Sequence, residues 1–305
     1  MATVQSGTRS GTVDPKQLAA QFAASRDASR EFEYTPADFE AVRALIYKRA
    51  GISLSPVKAD MVYSRLARRL RARGMKRFSE YIDYLRGGGD DEEWEAFTNA
   101  LTTNLTSFFR EEHHFPILAS HLQSLRGRNP SIWCCASSTG EAPYSLAMTA
   151  VEAFGSFNIP VTILASDLDT NVLAKARAGV YPAERIERLS AERVKRFFMR
   201  GTGAQEGLVK VRPELARLVS FKQINLLSTP LPVQGQFDAV FCRNVMIYFD
   251  KATQASILRR FVPHMNPDAL LFVGHSESLF HVSDVFHLRG KTVYDLVKGG
   301  GANVV

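Results

Sequence analysis

Between residues 36 and 50 the apolar side chains Phe39, Val42, Leu45 and Ile46 recur at the three-and-four spacing of one helical face. Thr35 ahead of Pro36 offers a cap and a first-turn proline, and Gly51 offers a stop. The same period predicts a second helix over 57–73, with Val62, Leu66 and Leu70 on one face. Arg68 and Arg71 then point away, Arg65 and Arg69 lie on the flank, and Gly74 ends the helix. A third helix is predicted over 78–86. Gly87, Gly88 and Gly89 interrupt the pattern before the acidic start Asp90, Asp91, Glu92 and Glu93 of a fourth, and this break suggests a domain joint.

Beyond residue 130 the period changes. The runs 131–136, 161–166, 238–242 and 269–274 are apolar or β-branched and alternate with helical stretches, the pattern of a doubly wound α/β fold. The stretch 192–223 departs from it, because Arg200, Gly201, Thr202 and Gly203 precede two short apolar runs at 208–211 and 218–221. Short antiparallel strands around glycine turns are expected there, as an inserted β subdomain. Residues 1–32, rich in Ala, Ser, Thr, Gly and Gln, are expected to form a disordered tail, with a short helix near 15–22 compatible.

Composition narrows the class. With 305 residues and 45% apolar content the chain can bury one large domain plus a smaller one. No apolar run approaches the roughly 20 residues of a membrane-spanning helix, and no secretory pattern opens the chain. A cytoplasmic protein without membrane insertion is expected. Cys134, Cys135 and Cys242 lack any ligand spacing, which argues against a disulfide scaffold and against a metal site. A net charge of +7 predicts an acidic partner without choosing among nucleic acid, membrane surface and acidic protein.

Four segments carry candidate chemistry. After the first strand, Ser137, Ser138, Thr139 and Gly140 form a small-residue turn entering a helix near Pro143, where a cofactor can approach the backbone. With one glycine, a plain strand–helix connection explains this turn equally well. After the second strand, Asp167 is placed to accept from both hydroxyls of a ribose, while Asp169 caps the following helix at Thr170 and Asn171. Arg243 and Asn244 follow the buried strand at 238–242 and must be paired or functional, since burying them bare is costly. Residues 101–111, rich in Thr, read as a polar helix start in which capping explains Thr106 or Ser107.

Taken jointly, TTNLTSFFRE, STGEAPYS, ASDLDT, CRNVMIYFD and LLFVGHSESL stand nearly word for word as in the chemotaxis receptor methyltransferase family of the CheR type, which the chain resembles over residues 34–298. The resemblance implies an all-α N-terminal domain, then a Rossmann-like S-adenosylmethionine-dependent methyltransferase domain with a small inserted antiparallel β subdomain. The expected boundaries are a tail over 1–32, a helical domain over 33–89, a linking helix over 90–105, and the methyltransferase domain over 106–305 with the insert at about 190–222. By resemblance, Asn104, Thr106, Arg110, Glu141, Asp167, Asn225, Leu226, Arg243 and Asn244 line the cofactor pocket, and glutamate carboxylates of chemoreceptors are the methyl acceptors.

Such an acceptor is ionised at neutral pH, so positioning rather than a base should dominate. Arg110 and Tyr248 are the candidates for orienting it, and each could instead be structural. The arginines Arg65, Arg68, Arg69, Arg71 and Arg73 are candidates for docking on an acidic receptor coiled coil, the alternative being a solvated face. The turn with Gly201, Gly203 and Gly207 resembles that of members that tether to a receptor C-terminal peptide, and otherwise reads as an ordinary hairpin. A monomer is expected. Two rivals stand beside this reading: a nucleic-acid methyltransferase, which would carry an Asn/Asp-Pro-Pro-aromatic motif where Arg243, Asn244, Val245 and Met246 stand, and a non-catalytic signalling module.

Overall fold

The computed structural model describes residues 30–297, so the tail expected over 1–32 lies almost wholly outside the described residues. The chain divides into two compact units between Leu101 and Thr102. Among the described residues no helix is long and apolar enough to cross a membrane.

The first unit is helical. Helix α1 (Pro36–Ala50) opens on a capping box, in which Asp38 N donates to Thr35 Oγ1 and Thr35 N donates to Asp38 Oδ2, and closes on Gly51 in the left-handed region. Helices α2 (Ala59–Arg73), α3 (Phe78–Arg86) and α4 (Asp91–Leu101) follow. Phe39, Val42, Ile46, Val62, Leu66, Leu70, Phe78, Tyr81 and Phe97 form the core, each contributing about 2 kcal/mol through burial. The glycine run at 87–89 is a turn inside this unit and not a domain joint. Its far side is bound back to α2: Glu93, with no exposed side-chain surface, accepts from Arg69 Nη2 at 2.6 Å, Arg73 Nε at 2.7 Å and Tyr81 Oη at 2.7 Å. Burial pushes the Glu93 carboxyl up, but those three donors outweigh it and hold the pKa at about 2.

The second unit is a doubly wound sheet. In chain order its elements are α5 (His114–Ser124), β1 (Ser131–Cys135), α6 (Glu141–Phe154), β2 (Thr162–Asp167), α7 (Thr170–Ala178), β3 (Val180–Pro182), α8 (Ala191–Phe197), β4 (Phe198–Arg200), β5 (Leu208–Val211), α9 (Pro213–Ala216), β6 (Val219–Gln223), β7 (Phe237–Cys242), α10 (Lys251–Phe261), β8 (Met265–Val273), β9 (Phe286–Gly290) and β10 (Val293–Leu296). The main sheet runs β6-β2-β1-β7-β8-β10-β9. Its first five strands are parallel, and β10 and β9 are antiparallel to their neighbours. Alternation along β1 sends Ile132 and Cys134 into one core and Trp133 and Cys135 into the other, so both faces are covered.

A separate three-stranded antiparallel sheet, β3-β5-β4, forms the expected small subdomain. Its membership differs from the expectation in two places. Val180–Pro182 supplies a strand from before residue 190, and the run at 218–221 leaves the subdomain to pair with β2 in the main sheet, Ile163 opposite Val219. The apolar alternation of 218–221 serves either sheet, and here it forms the edge strand beside β2 with Val219 buried.

Candidate active site

The order of strands reverses between β1 and β7: the chain leaves β1 toward β2 and leaves β7 toward β8. Ligands of such sheets bind outside the carboxyl ends of the strands at this point. The loops that leave β1 and β7, together with the strap before α5, carry most of the backbone strain. Of seven non-glycine residues with positive φ among the described residues, five are Phe109, Glu111, Ala136, Ser138 and Asn244. Such conformations persist only where surrounding contacts impose them.

The turn after β1 approaches the end of β2. Ser138 N donates to Asp167 Oδ2 at 2.8 Å and Asp169 N donates to Asp167 Oδ1 at 3.0 Å, so each oxygen retains a lone pair for a further donor. Burial raises the Asp167 carboxyl above its ordinary value; the two amides pull it down and the Asp169 charge pushes it up again. Asp169 is the N-cap of α7, accepting from Asn171 N and Val172 N, and its other oxygen accepts from Thr102 Oγ1 and Asn104 Nδ2, each at 2.8 Å. Asn104 O in turn accepts from Ser138 Oγ at 3.0 Å.

Gly140, at φ +100°, closes this turn where a Cβ would meet Tyr181 Oη at 2.7 Å. Glu141 then begins α6 fully buried, accepting from Thr139 Oγ1 at 2.6 Å and paired with Arg185, whose guanidinium also donates to Thr106 O at 3.0 Å. Arg185 was not among the residues singled out from the sequence, though it stands where the small subdomain rejoins the site.

Residues 102–113 are not the helix start expected from their threonines. They run as an extended strap with turns, and α5 begins at His114. The strap is held by Phe109 N donating to Ser145 Oγ at 3.0 Å and by Arg243 Nη1 donating to Arg110 O at 2.7 Å. Arg243 also donates to His114 Nδ1 at 3.2 Å, which leaves His114 Nε2 as the protonated nitrogen facing Thr292 Oγ1 at 3.0 Å. Burial, then the Arg243 charge, lower the His114 pKa to about 4. The Arg110 guanidinium donates to Leu105 O at 3.0 Å and remains half-exposed.

The structure arranges the expected pocket residues in three hydrogen-bonded groups: Asn104 and Asp167 joined through Ser138 and Asp169, Thr106 and Glu141 joined through Arg185, and Arg110, Arg243 and Asn244 gathered around Glu111. Asn225 joins through its neighbour, since Ile224 N donates to Asp167 O at 3.0 Å. Leu226 is buried in the second core. Tyr248 ends a short turn (Met246–Tyr248) after β7 and is partly exposed. Gly201, Gly203 and Gly207 lie in the connection from β4 to β5, where a Cβ on Gly201 would clash with the carbonyl oxygen of Gln205. In the first unit Arg71 pairs with Glu31, Arg65 donates to Ala100 O, Arg69 and Arg73 are committed to Glu93, and Arg68 is exposed.

An acidic acceptor with spare lone pairs, a small-residue turn and a fully buried Ser137 Oγ without a hydrogen-bond partner among the described residues fit an adenosine-bearing cofactor at this edge. With the edge hairpin of β9 and β10, the sheet and site define an S-adenosylmethionine-dependent methyltransferase. The family model for the SAM-binding domain of CheR methyltransferases matches residues 104–294, and that for their all-alpha domain matches residues 37–102. The chain belongs to the CheR methyltransferase family. It is 54% identical over 262 residues to the chemotaxis protein methyltransferase of Salmonella typhimurium, covering 86% of this chain and 91% of that one. The Escherichia coli protein of that name is 53% identical with the same coverage, and chemotaxis protein methyltransferase 2 of Pseudomonas aeruginosa is 53% identical, covering 87% and 95%.

Proposed function

We propose that the chain methylates glutamate side chains of chemoreceptors, forming methyl esters. The observation that carries this reading is that the carboxylates and the imidazole around the site are already engaged by the chain's own donors. Asp167 holds two amides, Glu141 holds Arg185 and Thr139, and His114 Nδ1 faces Arg243. Burial pushes Glu111 up, but the His275 amide and the Arg243 charge hold it below the usual carboxylate range. Glu141 and His114 are thus committed to their partners, and the spare lone pairs of Asp167 are assigned to the ribose. Glu111 Oε2, though buried without a hydrogen-bond partner among the described residues, is a weak base because that carboxyl is held low. An acceptor that arrives ionised suits such a site, and a glutamate, with a free pKa near 4.3, does so at neutral pH.

When bound, S-adenosylmethionine supplies a positively charged sulfonium whose methyl group is the transferred unit. Asp167 accepts the ribose hydroxyls, with Asn104, Thr106, Glu141, Asn225, Leu226, Arg243 and Asn244 lining the rest of the pocket. Arg110, with most of its N–H donors unspent, orients the incoming carboxylate, and Tyr248 offers a second donor from the opposite loop. In the first unit the exposed Arg68, together with Arg71 and Arg65, steers the acidic receptor surface; Arg69 and Arg73 support that helix from below through Glu93. The outer edge of β4 in the three-stranded sheet is the place for a receptor C-terminal peptide to add as a strand, beside the turn carrying Gly201, Gly203 and Gly207.

Incubation with tritiated S-adenosylmethionine and receptor-containing membranes, RNA or DNA tests the reading. Label is expected on receptor protein and is released as methanol by alkali; label on nucleic acid, or protein label stable to alkali, would reject it.

A further inference from the structure

Glu277 lies in the loop after β8, outside the set assigned above to cofactor or substrate. Its carboxylate, in a residue only 5% exposed, accepts four backbone N–H groups. Oε1 takes Val245 N at 2.8 Å and Met246 N at 2.7 Å, while Oε2 takes Asn244 N at 2.8 Å and Gly274 N at 2.5 Å. Three of these donors are consecutive residues, and they converge because Asn244 adopts φ +58°, a conformation unfavourable for a residue with a side chain. The carboxylate is what holds that turn.

The surroundings leave little freedom. A Cβ on Gly274 would lie 2.5 Å from Asn244 Nδ2 and 2.7 Å from Glu277 Oε2, so a larger residue there would push the assembly open. A second carboxylate completes it: Glu111 Oε1 accepts His275 N at 2.9 Å and Asn244 Nδ2 at 3.3 Å. The strap before α5, the turn after β7 and the loop after β8 are thereby tied to one another.

We infer that Glu277 is a positioning residue: by fixing the amides of residues 244–246 to the end of β8, it sets Arg243 and Asn244 on the cofactor side and Tyr248 on the substrate side. The inference rests on the pocket assignment proposed above and is independent of which acceptor receives the methyl group.

Glu277→Gln is the informative change, since the side chain keeps its shape and, whichever way the amide turns, its NH2 faces a pair of N–H donors. Titration with S-adenosylhomocysteine is expected to show affinity reduced by about tenfold, with the far-UV spectrum of the wild type retained. Glu277→Asp, which keeps the charge but is one methylene shorter, is expected to recover part of that loss. A role confined to stability predicts a lower melting temperature with wild-type affinity, and that result would overturn the inference. Asp167→Ala in the same titration separates the two readings. Unchanged affinity there removes the pocket assignment and this inference with it, whereas a loss there beside unchanged affinity in Glu277→Gln removes the inference alone. If Glu277→Gln does not fold, hydrogen exchange of the wild type decides: protection of the amides of 244–246 and 274 comparable to that within β7 supports the clamp, and exchange at open-loop rates overturns it.

Discussion

Arg243 Nη1 donates to the carbonyl of Arg110 at 2.7 Å, joining two candidate site residues that lie on different loops. The Arg243 side chain is only 7% exposed, so its charge is held almost entirely by Arg110 O, His114 Nδ1 and the neighbouring Glu111. All three contacts converge on Nη1, and Arg243→Lys keeps the charge on a shorter side chain that does not carry it to that point. Cofactor affinity measured by calorimetry should fall about tenfold, and an unchanged value would show that the reach of Arg243 is not needed.

The Arg110 side chain, in contrast with its carbonyl, faces outward with one bond to Leu105 O. Arg110→Ala should lower turnover on receptor substrate by about a hundredfold while leaving the melting temperature close to that of the wild type. Wild-type turnover would remove Arg110 from the reaction.

His114 is neutral in the folded protein, with a pKa of about 4 against an ordinary value of 6.5. Between those values the unfolded chain takes up a proton that the folded chain does not, so stability is full above about pH 6.5 and declines as the pH falls toward 4. Urea unfolding of the second unit should follow this sign, and His114→Gln should flatten the slope over that window.

Glu93 titrates in the opposite sense. Its folded pKa of about 2 lies below the ordinary 4.5, so the stability it contributes is present above pH 4.5 and is lost as the pH falls toward 2. At neutral pH, Glu93→Ala leaves Arg69, Arg73 and the Tyr81 hydroxyl without their shared acceptor and should destabilise the helical unit by about 3 kcal/mol. Chemical denaturation of the full chain, followed through the Trp94 fluorescence in a Trp133→Phe background, measures it; a change near zero would contradict the assigned role.

The parts of the fold that were legible from residues alone are those specified locally. Thr35, Pro36 and Gly51 bound α1 because capping and stop signals act within one turn, and α3 matches the expected range 78–86 with its buried residues Phe78, Tyr81, Ile82 and Leu85 at helical spacing. The four central strands were visible as apolar runs because parallel strands are buried on both faces. What escaped depends on distant partners. The strap at 102–113 carries good capping residues, yet Phe109 and Glu111 take positive φ under tertiary contacts that no local signal announces. The strand at 180–182 is too short to show a period. Glu277 and Arg185 were hidden because their partners are backbone groups or side chains far along the chain, although Glu277 sits inside LLFVGHSESL. Asp167, by contrast, stands out in the sequence because a carboxylate at the end of the second strand has a chemical use that the spacing itself suggests, and its role toward a ribose is the proposal made above.

Calorimetric titration of S-adenosylhomocysteine into the wild type and into Asp167→Ala bears most directly on the placement of the cofactor at the edge of β1 and β2. Saturable binding by the wild type, weakened on the order of a hundredfold when the two ribose acceptors are removed, is the predicted result. Equal affinity in the two proteins, or no binding by folded wild type, would contradict it.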